Sequence, residues 1–119
     1  MNNLTDEQRK LCEKYGAPFS AVSLQMKIGV ALNVKTVLKP LNGLRHPVEA
    51  GTSGWYLWAR QTLSKEPDFF VPLHTEHLAE WCPEALKYLG LPPGWRFLTD
   101  GNHEGVWEDT SLLNVHGHK

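Results

Sequence analysis

Apolar and polar positions alternate most regularly between residues 24 and 34. The apolar positions of this segment are Leu24, Met26, Ile28, Val30, Leu32 and Val34. A period of two is the pattern of a β-strand with one buried face, so we predict a strand over the whole segment. The opposite face carries Gly29 and Ala31, whose small size leaves room for another backbone segment or a ligand to approach closely.

Three shorter segments are also typical of strands. They are residues 55–58, 69–73 and 95–98. Strand alternation would place Tyr56 and Trp58 together on one face of the first segment. Residues 36–54 contain several Gly and Pro residues, so we predict a long connection there, with a tight turn at Asn42-Gly43.

Two segments carry helix signals. A capping box predicts a helix over residues 5–15, and Gly16 is suited to end it. A second apolar pattern at helical spacing covers residues 76–89, with Thr75 as its predicted cap. Pro83 lies inside this segment and must either kink the helix or begin a new one.

The elements together predict an α+β fold. No repeat and no regular alternation of strand and helix is present. We therefore expect a small, mainly antiparallel sheet of three to five strands with two or three helices. A length of 119 residues is typical of one domain, so we assign residues 1–119 to a single domain. Beyond Asp100 the sequence is polar, and we predict a solvated tail with few apolar anchors.

The charges are unevenly distributed although their sum is small. The formal net charge is −1, which argues against general nucleic-acid binding. Residues 1–60 carry eight Lys or Arg and four Asp or Glu, whereas residues 61–119 carry four and nine. Either the two halves interleave in the fold and the asymmetry disappears, or the second half builds an acidic surface suited to a basic partner.

The composition predicts a globular protein of the cytoplasm. Apolar residues make up 41% of the chain and charged residues 21%. No apolar run approaches the ~20 residues that cross a bilayer. The first residues have neither the basic start nor the apolar stretch of a signal peptide. We therefore expect no membrane association, and we expect Cys12 and Cys82 to be reduced thiols.

A series of turn and packing residues resembles a known family. In chain order they are Lys27-Ile28-Gly29-Val30-Ala31-Leu32, Ser53-Gly54-Trp55, Phe70-x-Pro72-Leu73, Cys82-Pro83, Tyr88-Leu89, Pro93-Gly94 and Phe97. This series resembles the immunity protein 33-like domain of bacterial polymorphic toxin systems. It covers about residues 24–98 and leaves out the N-terminal helix and the polar C-terminal segment. The resemblance implies a small intracellular binding protein, not an enzyme, that neutralises a cognate protein toxin.

His74, His77 and Cys82 have side chains that serve as zinc ligands or as a nucleophile with its base. On a helix, residues five apart are separated by about 140°, so His77 and Cys82 point in different directions. Cys82 also lies in the apolar line of its helix, which favours a buried and unreactive thiol. We predict no metal, no cofactor and no catalytic residue.

A charged cluster formed by Arg45, His46 and Glu49 precedes the glycine-rich turn that leads to Trp55. An arginine near a tryptophan can stack on the ring or bind a carboxylate through two hydrogen bonds. The cluster is therefore either an internal ion pair that holds the loop or part of a binding surface. A small enzyme or ligand-binding protein, with a pocket near Arg45, His46 and Trp55, is the alternative function.

The second candidate segment is acidic and aromatic. Its residues are Glu104, Trp107, Glu108 and Asp109. Tryptophan is enriched among the residues that dominate protein interfaces, and the acidic neighbours suit an exposed ring and a basic partner, so Trp107 is either an interface residue or part of the core. We therefore predict that this segment, together with Arg45, His46 and Glu49, contacts a protein toxin and inhibits it by occupying it.

Overall fold

A computed structural model of the chain has a six-stranded sheet at its centre. The structure describes residues 3–35, 39–49, 51–60 and 69–113. The strands are β1 (Lys27–Ala31), β2 (Leu41–Arg45), β3 (Thr52–Ala59), β4 (Phe70–His74), β5 (Trp95–Thr99) and β6 (Glu104–Glu108). Their order across the sheet is β4-β1-β3-β2-β5-β6. The sheet is mixed, because β1 and β3 are parallel whereas the other four neighbouring pairs are antiparallel.

Only the first helix is long. α1 spans Asn3–Tyr15, and Gly16 follows it with a φ of +73°, the left-handed conformation common after a helix end. The others are α2 (Leu78–Trp81) and the 3₁₀ helices Leu32–Lys35, Thr75–His77, Pro83–Tyr88 and Thr110–Leu113. Pro83 begins a new helix instead of kinking a continuous one. No helix in the described ranges has the length and apolar character needed to cross a bilayer.

The main core lies between the sheet and a layer formed by α1 and the helix Pro83–Tyr88. Trp55 of β3 projects into it and is 1% exposed. Its indole Nε1 donates a hydrogen bond to the carbonyl of Leu89 at 3.1 Å. The ring of Tyr88 stacks on that of Phe97 with 4.2 Å between centroids. These contacts join the helical layer to one face of the sheet, which we call the helical face.

The opposite face, which we call the second face, carries a smaller buried cluster. The cluster consists of Ala31, Leu44, Trp58 and Leu112. Cross-strand pairing also sets one row of residues across this face, in the order Pro72, Gly29, Tyr56, Leu44, Arg96 and Trp107. The ring of Tyr56 lies over Gly29, where an added Cβ would be 2.6 Å from a ring carbon. A neighbouring side chain therefore fills the space beside Gly29.

The α+β class is confirmed, but the sheet is larger than the predicted three to five strands. β2 lies inside the segment predicted as a long connection, and Asn42-Gly43 is in its interior, not in a tight turn. Gly43 suits a strand here because the ring of Phe97 lies over it, 2.1 Å from where a Cβ would be. β6 lies in the segment predicted as a solvated tail. Its side chains are mostly polar, but pairing with β5 satisfies its backbone N–H and C=O groups and so forms a strand there.

Other local predictions vary in accuracy. Three predicted strands and one predicted helix are present. The strands predicted at 55–58, 69–73 and 95–98 are β3, β4 and β5, and the helix predicted at 5–15 is α1. β1 is shorter than predicted because the chain turns into a 3₁₀ helix after Ala31, which leaves Leu32 60% exposed. Thr75 does not cap a helix. Its hydroxyl instead donates a hydrogen bond to the carbonyl of Met26 at 2.8 Å.

Candidate partner-binding surface

Arg45 lies inside the fold. Its side chain projects from β2 to the helical face, and the residue is 1% exposed. The guanidinium donates hydrogen bonds to three backbone carbonyls, those of Ser53 at 2.9 Å, Leu91 at 2.8 Å and Ser20 at 3.1 Å. Burial lowers the pKa of Arg45 to about 10, so the group remains charged at neutral pH. Arg45 therefore has an internal role and is not presented to a partner. Its acceptors are backbone carbonyls and not the carboxylate that an internal ion pair would require.

Arg45, His46 and Trp55 do not line one pocket. The guanidinium carbon of Arg45 lies 5.9 Å from the ring centroid of Trp55, and both side chains are buried on the helical face. His46 projects to the second face, where its Nδ1 lies 3.0 Å from the carbonyl oxygen of Leu112 and its ring meets Tyr56 edge-on. Strand alternation separates His46 from Arg45 and Trp55, because the consecutive residues Arg45 and His46 point to opposite faces of the sheet.

Two shallow cavities lie around Tyr56. One has a volume of about 210 Å³ and is lined in part by Gly29 and Pro72. The other has a volume of about 160 Å³ and is lined in part by His46 and Phe70. Both are smaller than the roughly 300–1,000 Å³ of typical small-molecule sites. Neither cavity therefore supports the small-ligand alternative.

Glu49, the third member of the charged cluster, is exposed in the loop between β2 and β3. It forms an isolated β-bridge with Thr52 and accepts a hydrogen bond from the N–H of that residue at 2.9 Å. The cluster is therefore divided three ways, with one side chain in the core, one on the second face and one in a loop.

Trp107 is 41% exposed and lies at one end of the row of residues that crosses the second face. Its ring lies 5.6 Å from the guanidinium carbon of Arg96, which forms an ion pair with Asp109 at 3.3 Å. Ser111 donates a hydrogen bond to Asp109. That bond, with a further contribution from Arg96, lowers the pKa of Asp109. An exposed aromatic ring is thus held against a fixed pair of opposite charges.

Leu113 extends this exposed surface. Its side chain lies beside Gly94, 3.3 Å from where a Cβ would be, and the carbonyl of Gly94 accepts a hydrogen bond from the N–H of Asp109 at 2.6 Å. Leu113 is 45% exposed, so it presents an apolar side chain beside the segment that Gly94 and Asp109 form. We call the patch formed by Arg96, Trp107, Asp109 and Leu113 the Trp107 surface.

Glu104 projects from the opposite side of β6 into the interface with α1. Its carboxylate accepts hydrogen bonds from the hydroxyls of Tyr88 at 2.6 Å and Tyr15 at 2.7 Å, and from the ammonium of Lys14 at 3.0 Å. Burial alone would raise the pKa of Glu104, but these hydrogen bonds outweigh it and lower the pKa to about 2. Glu104 therefore holds α1 against the sheet and lies apart from Trp107.

Glu108 projects from the same side of β6 as Glu104, but it is exposed. It has no ion-pair partner within the part of the chain that the structure describes. The structure therefore brings Trp107 and Asp109 together on one face of β6 and leaves Glu108 at their margin, on the other side of the strand.

Ion pairs between the two halves of the chain reduce the charge asymmetry. Lys14 pairs with Glu104 at 3.0 Å, and Lys39 pairs with Glu84 at 2.8 Å. Each pair joins a cation of the first half to a carboxylate of the second. The acidic character of the second half is therefore partly neutralised, and Glu108 is one carboxylate that remains exposed.

Cys82 and the nearby histidines are not arranged as a reactive site. Cys82 is 2% exposed, and burial raises its pKa to about 12, so its thiol is neutral at physiological pH. His77 Nε2 lies 3.6 Å from the carboxylate of Glu76. Over the residues that the structure describes, no group of three His, Cys, Asp or Glu side chains could hold a metal ion.

Sequence reasoning missed Arg96 and Leu113. The alternation Trp95-Arg96-Phe97 was a usable signal, since it points Arg96 away from the core that Phe97 enters. Its partners could not be inferred in the same way, because the ion pair with Asp109 depends on the pairing of β5 with a strand that was not predicted.

Comparison with known protein families gives a match over most of the chain. The profile of the Imm33-like domain matches residues 7–109. The match begins within α1 and ends just after β6, so it is wider than residues 24–98, which carry the resemblance in sequence. Searches among curated proteins and among solved structures give no match. The chain therefore belongs to the Imm33-like domain family.

Proposed function

We propose that this protein neutralises a cognate protein toxin in the cytoplasm by binding directly to it. The match to the Imm33-like domain over residues 7–109 carries the proposal, because that family is expected to contain immunity proteins. The proposed action is occupation of the toxin, so no catalytic step, metal or cofactor of this chain takes part in it.

We assign the contact to the Trp107 surface. Tryptophan and arginine are enriched among residues that dominate binding energy, and here the two are in contact. The ion pair with Asp109 already restrains Arg96, so less side-chain entropy is lost when a partner binds. We assign His46 and Glu49 to the margin of this proposed surface, whereas the side chains of Arg45 and Glu104 hold the fold.

We further propose that the toxin presents a basic surface. Glu108 is exposed and lies beside the Trp107 surface, so a Lys or Arg of the toxin could pair with it. Such charge complementarity mainly increases the association rate, and salt screens it. Replacement of Glu108 by Lys should therefore slow association, with the largest effect at low ionic strength.

The test is co-expression with any candidate toxin domain encoded beside this gene, followed by measurement of growth and of affinity. We expect the wild-type protein to restore growth and to co-purify with the toxin. Trp107→Ala should weaken binding by about 30-fold or more, which corresponds to ~2 kcal/mol. Leu32→Ala is the matched control, because Leu32 is 60% exposed and follows β1, away from β6.

Two results would count against the proposal. If the wild-type protein neither restores growth nor forms a complex, toxin neutralisation by binding is wrong. If Trp107→Ala and Leu32→Ala bind equally well, the protein still binds the toxin, but the Trp107 surface is not the contact.

A further inference from the structure

The two edges of the sheet differ in the backbone groups that they present. β4 forms one edge and β6 the other, since each pairs with a single strand of the described sheet. An edge strand carries N–H and C=O groups that point away from its neighbour and can pair with another chain. The identity of the residues at those outward positions decides which edge is available.

The outward positions of β6 follow from its hydrogen bonds to β5. The N–H of Asp109 donates to the carbonyl of Gly94, and the N–H of Asp100 donates to the carbonyl of His103. In antiparallel pairing the inward positions alternate with outward ones. Residues 103, 105, 107 and 109 therefore direct their backbone groups to β5. Residues 104, 106 and 108 direct theirs outward, and none of these three is proline.

The same reasoning shows that the β4 edge is blocked. The N–H of Thr75 donates to the carbonyl of Met26, so residues 71 and 73 face β1, whereas residues 70, 72 and 74 face outward. The central outward residue is Pro72, which has no N–H and places its ring at the edge. Proline is one of the devices by which proteins protect edge strands. Of these two edges, β6 is therefore the one suited to accept a further strand.

Charge argues against a second copy of this chain as the added strand. An antiparallel pair of β6 strands centred on Val106 would place Glu104 of each copy opposite Glu108 of the other. Like charges directly opposite one another destabilise a sheet. A strand with a basic residue opposite Glu108 would instead gain a complementary pair, because Glu108 is exposed and is not neutralised within the described residues.

We propose that β6 accepts an extended segment of the toxin as a seventh strand, bound through the outward backbone groups of Glu104, Val106 and Glu108. This segment would carry a Lys or Arg on the side of Glu108 and an apolar residue on the side of Trp107. The inference rests on the proposed function and specifies how the partner is held. Backbone hydrogen bonds supply the affinity of such strand addition, and the flanking side chains supply the specificity.

The test uses the complex with the toxin domain and two substitutions at one position. Val106→Pro removes an outward N–H while leaving the inward N–H groups of β6 in place. Val106→Ala is the matched control, because it removes a similar part of the side-chain packing and keeps the N–H. We expect Val106→Pro to weaken toxin binding by about 10-fold or more relative to Val106→Ala, as lost strand pairing requires. Circular dichroism should show both variants to be folded.

Amide hydrogen exchange on the wild-type protein gives a second readout that does not depend on a variant. The amides of Val106 and Glu108 point outward, so they should exchange rapidly in the free protein and slowly in the complex. The amides of Gly105 and Trp107 should be protected in both states, because they face β5.

Each outcome is decisive. A weakened Val106→Pro complex, or new protection of the outward amides, supports strand addition. If Val106→Pro binds as tightly as Val106→Ala and the outward amides remain unprotected, the inference is wrong although the protein still binds the toxin. If the wild-type protein forms no complex and gives no growth rescue, the proposed function fails and strand addition fails with it.

Discussion

The carboxylate of Glu104 is surrounded by four donor groups. They are the hydroxyls of Tyr15 and Tyr88 and the ammonium groups of Lys14 and Lys87. Three of them donate hydrogen bonds, and Lys87 lies 3.8 Å away. The set joins α1, the helix Pro83–Tyr88 and β6. At the scale of single residues, a carboxylate in such a setting stabilises the fold only while it is charged, so its pKa predicts a dependence of stability on pH.

Glu104→Gln should lower the free energy of unfolding at pH 7 by on the order of 2 kcal/mol. The pKa of Glu104 in the folded protein, about 2, is below its ordinary value of 4.5. The stabilisation is therefore complete above pH ~4.5 and is lost as the pH falls toward 2. Urea unfolding at several pH values would measure this loss in the wild type, and the variant should lack it.

Glu108→Gln is the matched control for this prediction, because Glu108 lies on the same strand and is exposed. Its effect on stability should stay within about 0.5 kcal/mol, as for most surface substitutions. If the free energy of unfolding falls by the same amount between pH 4.5 and pH 2 in the wild type and in Glu104→Gln, the carboxylate of Glu104 does not stabilise the fold in this way.

At the scale of elements, β2 shows how packing can place a turn-like dipeptide inside a strand. The ring of Phe97 lies over Gly43, and the ring of Tyr88 stacks on Phe97. Asn42 donates hydrogen bonds from its side-chain amide to the carbonyls of Trp58 and Arg60. Phe97 of β5 can therefore cover the backbone of this central strand, with Tyr88 of the helical layer stacked on it, only because the strand has no side chain at Gly43.

Gly43→Ala should destabilise the protein by about 2 kcal/mol or more, because its Cβ would lie 2.1 Å from the ring of Phe97. Gly105→Ala is the control. Its Cβ would meet the ring of Trp107 at 3.6 Å, which is ordinary contact, so its effect should be within about 0.5 kcal/mol. Thermal or urea unfolding of both variants tests the difference, and equal stability would contradict the packing described for β2.

At the scale of the whole molecule, Arg45 ties distant segments together. Its guanidinium bonds to Ser53 in β3, to Ser20 after α1 and to Leu91 before β5. One buried cation thereby satisfies three carbonyls that three parts of the chain bring to the same point. Loss of the guanidinium would leave two buried acceptors and one partly buried acceptor without this donor, which costs free energy for each of them.

Arg45→Met should therefore reduce the free energy of unfolding by about 3 kcal/mol or more, although methionine fills much of the same volume. Lys10→Met, an exposed substitution on α1, should change it by no more than about 0.5 kcal/mol. Chemical unfolding measures both values. A stable Arg45→Met variant would mean that the carbonyls are satisfied in another way, and a loss of toxin affinity without loss of stability would return Arg45 to the binding surface.

Part of the fold and of the candidate surface could be predicted from local sequence. Helix α1 and strands β3, β4 and β5 follow from capping, periodicity and turn residues within short windows. The exposure of Trp107 was one of the two alternatives that its acidic neighbours suggested. β2 and β6 could not be predicted in this way, since their residues favour turns and solvent until neighbouring strands pair with them.

The sequence by itself determined the α+β class, the family and the main helix and strand segments, because these depend on residues that are close in the chain. Only the tertiary structure decided which charged residues are internal and which are exposed. Glu104 has a donor 89 positions away, and Arg45 has an acceptor 46 positions away. The open edge at β6 and the Trp107 surface are likewise products of long-range strand pairing, which no short window of sequence specifies.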